Sequence, residues 1–173
     1  LSELDVILMR QDPPFNSNYI YNTYVLESAE KEGVLVVNKP SSLRDCNEKV
    51  FATEFPECCT PFLVTSDPNL LKSFIEDHGD TVIKPLDGMG GSSIFRLRYS
   101  DPNLNVILET ITESFTTKVM IQTYIPEITD GDKRILLING NPMDAAVARV
   151  PAEGELRGNL AAGASAVARS LTE

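Results

Sequence analysis

Tryptophan is absent from these 173 residues, and there is a single histidine and three cysteines. With only His78 to act as a base, Ser/His and Cys/His nucleophile schemes have little support, and a histidine-rich metal site is excluded. His78 falls at the end of a helical stretch, where a cap explains it. Cys46, Cys58 and Cys59 are odd in number and contain no C-x-x-C spacing, so neither a zinc site nor a disulfide framework is indicated. A reducing, cytoplasmic compartment fits them best. No apolar run approaches the roughly 18 residues that a membrane span requires. The opening LSELDVILMR lacks the basic leader of a signal peptide and has no initiator Met, and is read as a start within something longer.

What is abundant is negative charge, with a formal net of -10. A surface of this sign repels phosphate backbones and anionic lipid, so neither nucleic acid nor membrane is expected as a partner of the whole chain. An anionic ligand then needs a local basic pocket. The hydrophobic share of 42% is that of an ordinary globular chain.

Residues 5–9 and 34–38 are short continuous apolar runs, the pattern of strands buried on both faces. Between them lies a helical stretch whose Tyr21, Tyr24, Val25 and Ala29 share one face, with Gly33 at the C-terminal cap. Strand, helix and strand in this order predict a βαβ unit with parallel strands. Arg10 follows the first strand, at the end where such sheets bind ligands. Ser42 and Asp45 signal a further helix that carries Lys49 and is bounded by Pro56, and another runs from Pro68 to His78. The strand TVIKP, a glycine-rich turn, the alternating SIFRLR, a helix in NVILETITESF and the strand KVMIQTYIP follow. RILLIN and PMDAAVARV, joined by Gly140-Asn141, predict a hairpin. From Pro151 to Glu173 the chain is rich in Gly and Ala and reads as a mobile loop. The fold class is therefore mixed α/β, in more than one lobe.

The strongest chemical signal is Lys84 at a strand end, followed by Gly88, Met89, Gly90 and Gly91. Glycines let successive backbone N–H groups converge on an anion, and a lysine adds a mobile point charge. The pattern is not G-x-x-x-x-G-K-[ST], and no helix follows it. A hairpin flap over phosphates and a plain glycine-rich hairpin explain it about equally well. Lys49 read alone is an i,i+4 partner of Asp45 on a helix. The strand end at Gln122, Tyr124 and Ile125 can offer main-chain groups to a purine edge, and Asp132 can accept from ribose hydroxyls, though an edge strand and polar turn is the plainer reading. Arg134, Arg149 and Arg157, with Gly158 and Asn159 beside the last, suit a carboxylate or phosphate, or else surface ion pairs.

Taken together and in order, LDVILMRQDPPF, VVNKPSSLRDCNEKVF, KPLDGMGGSSIFR, DGDKRILLINGNP and ARVPAEGELRGNLAAG resemble the bacterial glutathione synthetase family of ATP-grasp ligases. The resemblance spans nearly the whole chain. It implies an ATP-grasp fold: residues 1–44 as the end of a substrate domain, 45–122 as the small lobe and 123–173 as the first part of the large lobe. It implies Lys49 and Lys84 as ATP-phosphate lysines, Gly88, Met89, Gly90 and Gly91 as the flap, and Gln122, Tyr124, Ile125 and Asp132 as the adenine and ribose slot. Arg10, Arg134 and Arg149 would hold the substrate carboxylates, Arg134 and Arg149 in a catalytic role, with Arg157, Gly158 and Asn159 closing over the site. The implied reaction joins γ-glutamylcysteine to glycine through an acyl phosphate, with ATP and Mg2+, in a homo-oligomer. The family's metal ligands match nothing here, so no metal ligand is assigned in this chain. The run Ala164-Ser165-Ala166-Val167-Ala168-Arg169 also departs from the glycine-rich continuation that the family leads one to expect. A ligase of the D-alanyl-D-alanine type and a non-catalytic nucleotide-binding module are the alternatives.

Overall fold

The computed structural model describes residues 3–11 and 14–171. Asp12 and Pro13 of the DPPF stretch, and the outermost residues at either end, lie outside them. The chain divides into two compact units, one of residues 1–89 and 93–123, the other of residues 90–92 and 124–173.

In the first unit, β1 (Val6–Leu8) and β2 (Leu35–Val37) pair in parallel, with Ile7 opposite Val36. Helix α1 (Ser17–Lys31) connects them, begun by Asn16, whose side chain accepts from the Tyr19 amide at 3.1 Å. This is the βαβ unit that the hydrophobic pattern predicts. Its buried helical face differs from the expected one. Tyr21, Tyr24 and Val25 are exposed, and Tyr19, Thr23 and Ala29 are buried instead. The small Ala29 packs against Val34 and Val36, while the Thr23 hydroxyl donates to the Ile20 carbonyl of its own helix at 2.6 Å and accepts from Arg44 of the next helix. The two strands are covered on one face only: Ile7 and Val36 pack under α1 while Val6, Leu8, Leu35 and Val37 are exposed.

Helix α2 (Pro40–Asp45) starts at Pro40, two residues before the expected Ser42 cap, because Pro at the first helical position fixes φ without losing a needed N–H. It also ends early. Lys49 sits in the turn after it, a short 3-10 turn (Phe51–Glu54) replaces the rest of the expected helix, and a second (Pro56–Cys58) follows its expected end.

Strands β3 (Phe62–Thr65), β4 (Thr81–Pro85), β5 (Phe95–Leu97) and β6 (Val119–Thr123) form an antiparallel sheet in the order β3-β6-β4-β5. Helices α3 (Pro68–His78) and α4 (Leu104–Ile111) contribute Leu71, Ile75, Leu104, Leu108 and Ile111 to a core with Ile83, Leu97, Val119 and Ile121. Side chains alternate across a strand, so the helix-covered face takes Ile83 and Ile121 and leaves Lys84 and Gln122 on the other. The expected helix through Phe115 stops at Ile111, since Glu113, Ser114 and Phe115 all adopt positive φ.

The second unit is a three-stranded antiparallel sheet, β7 (Asp132–Ile138), β8 (Asn141–Val150) and β9 (Ser165–Ser170), with β8 in the middle. The hairpin turn is Asn139-Gly140, one residue before the expected pair. Both residues have positive φ, 50° and 79°, as a two-residue type I′ turn requires. The expected loop beyond Pro151 contains β9, whose Ala166 lies opposite Arg149.

Candidate functional site

In the first unit, two lysines converge without a matching pair of acids. Lys84, at the end of β4, is partly buried and donates to Gln122 Oε1 on β6 at 2.6 Å. Burial pushes its ammonium below the ordinary 10.5, and the nearby charge of Lys49 pushes the same way, against weaker raising by Glu48 and Cys59. Lys49 donates to Glu48 Oε1 at 2.6 Å and to the Gly88 carbonyl at 2.7 Å, with its side chain only 13% exposed. The Asp45 partner expected from sequence is replaced by these two. Two ammonium groups thus share one carboxylate beside the root of a glycine loop. An anion placed there would relieve their repulsion and the cost of burying Lys84 together. Glu48 supplies only part of that relief, since the Lys84 pKa remains lowered.

Asn47 ties these parts together. Its Oδ1 accepts from the Lys49 and Val50 amides at 3.0 Å each, and its Nδ2 donates to the Leu86 carbonyl at 3.4 Å. A cavity of about 100 Å³, lined by Phe15, Tyr19, Leu43, Cys46, Leu86 and Asp87 among others, lies beside Asn47 and Glu48.

The second unit gathers its own polar cluster. Asp132 and Arg149 stand directly opposite in the β7–β8 register and form a two-pronged ion pair, Nε to Oδ1 at 2.7 Å and Nη2 to Oδ2 at 2.6 Å. Hydrogen bonding to Asp132 strengthens the hold of Arg149 on its proton. Gly158 backs onto this pair so closely that a Cβ there would stand 3.0 Å from Asp132 Oδ2. Arg157 grips Glu155 through Nη2 at 2.6 Å, which holds that carboxyl down at about 2, and its Nη1 reaches the Gly91 carbonyl at 3.2 Å. Gly91 has φ +81° and faces Asn159 Oδ1, which would lie 2.5 Å from an added Cβ. The segment 155–159 is therefore fitted to residues 90–91 by the absence of side chains there.

Of the residues singled out from sequence, the structure joins Lys49, Lys84, Gly88 and Gln122 in one group. It joins Gly91, Asp132, Arg149, Arg157, Gly158 and Asn159 through contacts within the second unit. Gly90 lies 3.8 Å, as a notional Cβ, from Ala161. Arg10 and Arg134 are exposed, Arg10 two residues after β1 and Arg134 on β7 opposite Val147. Met89 is exposed in the glycine loop, and Tyr124 and Ile125 follow β6. Sequence reading missed Asn47 and Glu155. The former carried a signal, since an Asn two residues before a turn commonly bonds its own backbone.

Comparison with known proteins places the segments in one family. Residues 48–173 match the model of the prokaryotic glutathione synthetase ATP-grasp domain, and residues 1–44 match that of the prokaryotic glutathione synthetase N-terminal domain. The chain belongs to the prokaryotic glutathione synthetase family. It is 62% identical to the glutathione synthetase of Pseudomonas putida over 173 residues, which is all of this chain and 55% of that protein. The chain thus spans about half the length of the curated relatives it matches. Among solved structures it resembles the D-cycloserine synthetase DcsG (TM-score 0.69, 12% identity, 86% of this chain and 53% of that one). It also resembles the D-alanyl-alanine synthetase A of Vibrio cholerae (TM-score 0.58, 12% identity, 86% and 47%). At these identities the likeness establishes the fold alone, and that fold is the expected mixed α/β architecture. Within the family's ATP-grasp segment fall both lysines, the glycine loop and the arginine cluster.

Proposed function

We propose that this chain carries nucleotide- and acceptor-binding parts of an ATP-dependent ligase that joins γ-glutamylcysteine to glycine, giving glutathione. The observation that carries this reading is the Lys49–Lys84 pair beside Gly88, an anion site within a segment of the family's ATP-grasp domain. Residues 1–44 are assigned to the substrate domain, 45–122 to the small lobe and 123–173 to the start of the large lobe.

In this reading Lys49 and Lys84 bind the ATP phosphates, and Gly88, Met89, Gly90 and Gly91 cover them. Gln122, Tyr124 and Ile125 line the adenine slot, with Asp132 near the ribose. The γ-phosphoryl group passes to the cysteinyl carboxylate and ADP leaves. The glycine amine then attacks the acyl carbon, expels phosphate and gives its proton to solvent. Phosphoryl transfer asks a protein mainly for position and positive charge, which lysines and backbone N–H groups provide. Arg10, Arg134 and Arg149 hold the carboxylates of the peptide, and Arg157, Gly158 and Asn159 close over the acyl phosphate and exclude water. Mg2+, expected by family, would supply further positive charge to the phosphates. Among the described residues no group of three His, Cys, Asp or Glu side chains could hold a metal ion, so no step is assigned to an ion bound by this chain. The substrates are small molecules, and by family a homo-oligomer in the cytoplasm is expected. Among the described residues no helix is long and apolar enough to cross a membrane.

The test is ADP release from Mg-ATP with γ-glutamylcysteine, with and without glycine. Release that needs both substrates supports the assignment. Release with D-alanine in place of both would transfer it to the D-alanyl-D-alanine type, and ATP binding without turnover would leave a nucleotide-binding module.

A further inference from the structure

We infer that Asn47 is a positioning residue for nucleotide binding: its side chain shapes the turn that carries Lys49 and pins that turn to the start of the glycine loop. The inference rests on the reading of Lys49 and Lys84 as phosphate-binding lysines.

Three contacts support it. Oδ1 accepts from the amides of Lys49 and Val50, at 3.0 Å each, so one oxygen caps the turn that follows α2 and fixes the direction in which Lys49 leaves the backbone. Nδ2 donates to the Leu86 carbonyl at 3.4 Å, two residues before Gly88. Lys49 Nζ donates to the Gly88 carbonyl at 2.7 Å and thereby closes a ring from residue 47 through 49, 88 and 86 back to 47. A long, four-carbon side chain loses rotamer freedom on being held in one place, and an ammonium held beforehand binds a phosphate more tightly than one that must be ordered on binding. The amide of Asn47 supplies that order without touching the ligand. Alanine cannot make any of the three bonds, whereas serine can still accept from an amide two residues on, more weakly.

The experiment measures displacement of a fluorescent ATP analogue by ATP and by adenosine, for the unaltered protein and for Asn47→Ala, Asn47→Ser, Lys49→Ala and the double Asn47→Ala/Lys49→Ala variant. Asn47→Ala should weaken ATP about five- to tenfold, the effect of losing one or two such bonds, with adenosine changed less than twofold. Asn47→Ser should fall between it and the unaltered protein. In the Lys49→Ala background, loss of Asn47 should add little, because the group it positions is gone. An equal loss for ATP and adenosine, or full additivity in the double variant, would assign Asn47 a general role in folding and overturn the inference. So would an unchanged ATP affinity in Asn47→Ala when Lys49→Ala is weakened. If Lys49→Ala itself binds ATP normally, the phosphate reading fails first and the inference falls with it.

Discussion

Replacing Lys84 by Met should move stability and nucleotide affinity in opposite directions. The ammonium of Lys84 is partly buried, lies within electrostatic reach of Lys49 and Glu48, and donates to Gln122 Oε1 at 2.6 Å. A hydrogen bond to a charged group contributes about 1.5–3 kcal/mol, and burial with like-charge repulsion opposes it. The lowered pKa shows that the opposing forces win for the charged form. Methionine keeps the length and apolar stem and removes the charge, while water can still reach the partly exposed Gln122. The unliganded Met variant should therefore be unchanged or up to about 1 kcal/mol more stable in urea, the usual exchange at a site built for function. On the proposed reading of Lys84 as a phosphate-binding lysine, ATP loses a charge-assisted contact and should bind about 10- to 150-fold more weakly. The pH dependence gives a second reading. Folded Lys84 releases its proton below 10.5, so between its lowered value and 10.5 the unfolded chain holds more protons and stability rises with pH. That rise should be missing from the Met variant. A variant that is less stable, binds ATP normally and keeps the alkaline rise would refute the electrostatic account.

Three further outcomes follow from other contacts. Arg96, through its hydrogen bonds, and Arg98 hold the Asp80 carboxyl at about 2 rather than 3.8, so its stabilisation is present above 3.8 and lost as pH falls toward 2. Asp80→Asn should cost about 1–2 kcal/mol at pH 7 after allowance for solvent screening, and urea unfolding at pH 7 and 2.5 should show the difference shrink to less than half in acid. Gly91→Ala should cost about 1–2 kcal/mol in backbone strain at φ +81° alone, with more from the contact with Asn159. Adding Asn159→Ala should recover only the second part in thermal unfolding. Arg44 donates to Thr23 Oγ1 at 3.2 Å and Glu27 Oε2 at 2.8 Å, and lies 4.5 Å over the Tyr24 ring. Arg44→Ala should lower unfolding stability by about 1–3 kcal/mol, and Arg44→Lys should restore less than half because an ammonium cannot bond both partners and stack.

Legibility in the sequence followed the range of the interaction involved. The βαβ unit, the TVIKP strand with its glycine turn and the RILLIN hairpin announce themselves through local periodicity and turn residues. Expectations failed where a side chain or a distant strand decided the outcome. The helix expected through Lys49 ends at Asp45, and beyond it the Asn47 side chain takes the Lys49 and Val50 amides into a separate turn, a competition that propensity alone does not weigh. Strand β9 escaped notice because all six of its side chains are exposed, so pairing with β8 leaves no hydrophobic alternation to read.

The arginine cluster shows the same limit with a chemical consequence. Seventeen residues separate Asp132 from Arg149, and only the β7–β8 register sets them face to face. The sequence leaves a polar turn open for Asp132 and a surface ion pair open for Arg149, and only the family resemblance implies a ribose for the one and a carboxylate for the other. In the structure each is the other's partner, and the Nε and Nη2 edge of the guanidinium is already taken. A substrate carboxylate bound by Arg149 must therefore use the Nη1 side or displace Asp132. The first arrangement leaves Arg149 rigid and charged, with Asp132 serving to orient it. The second would strand a carboxylate beside Gly158, which is too close to offer any side chain in compensation. Because separating a charged pair costs more than keeping it, the proposed substrate role of Arg149 fits best with Asp132 left in place to orient it.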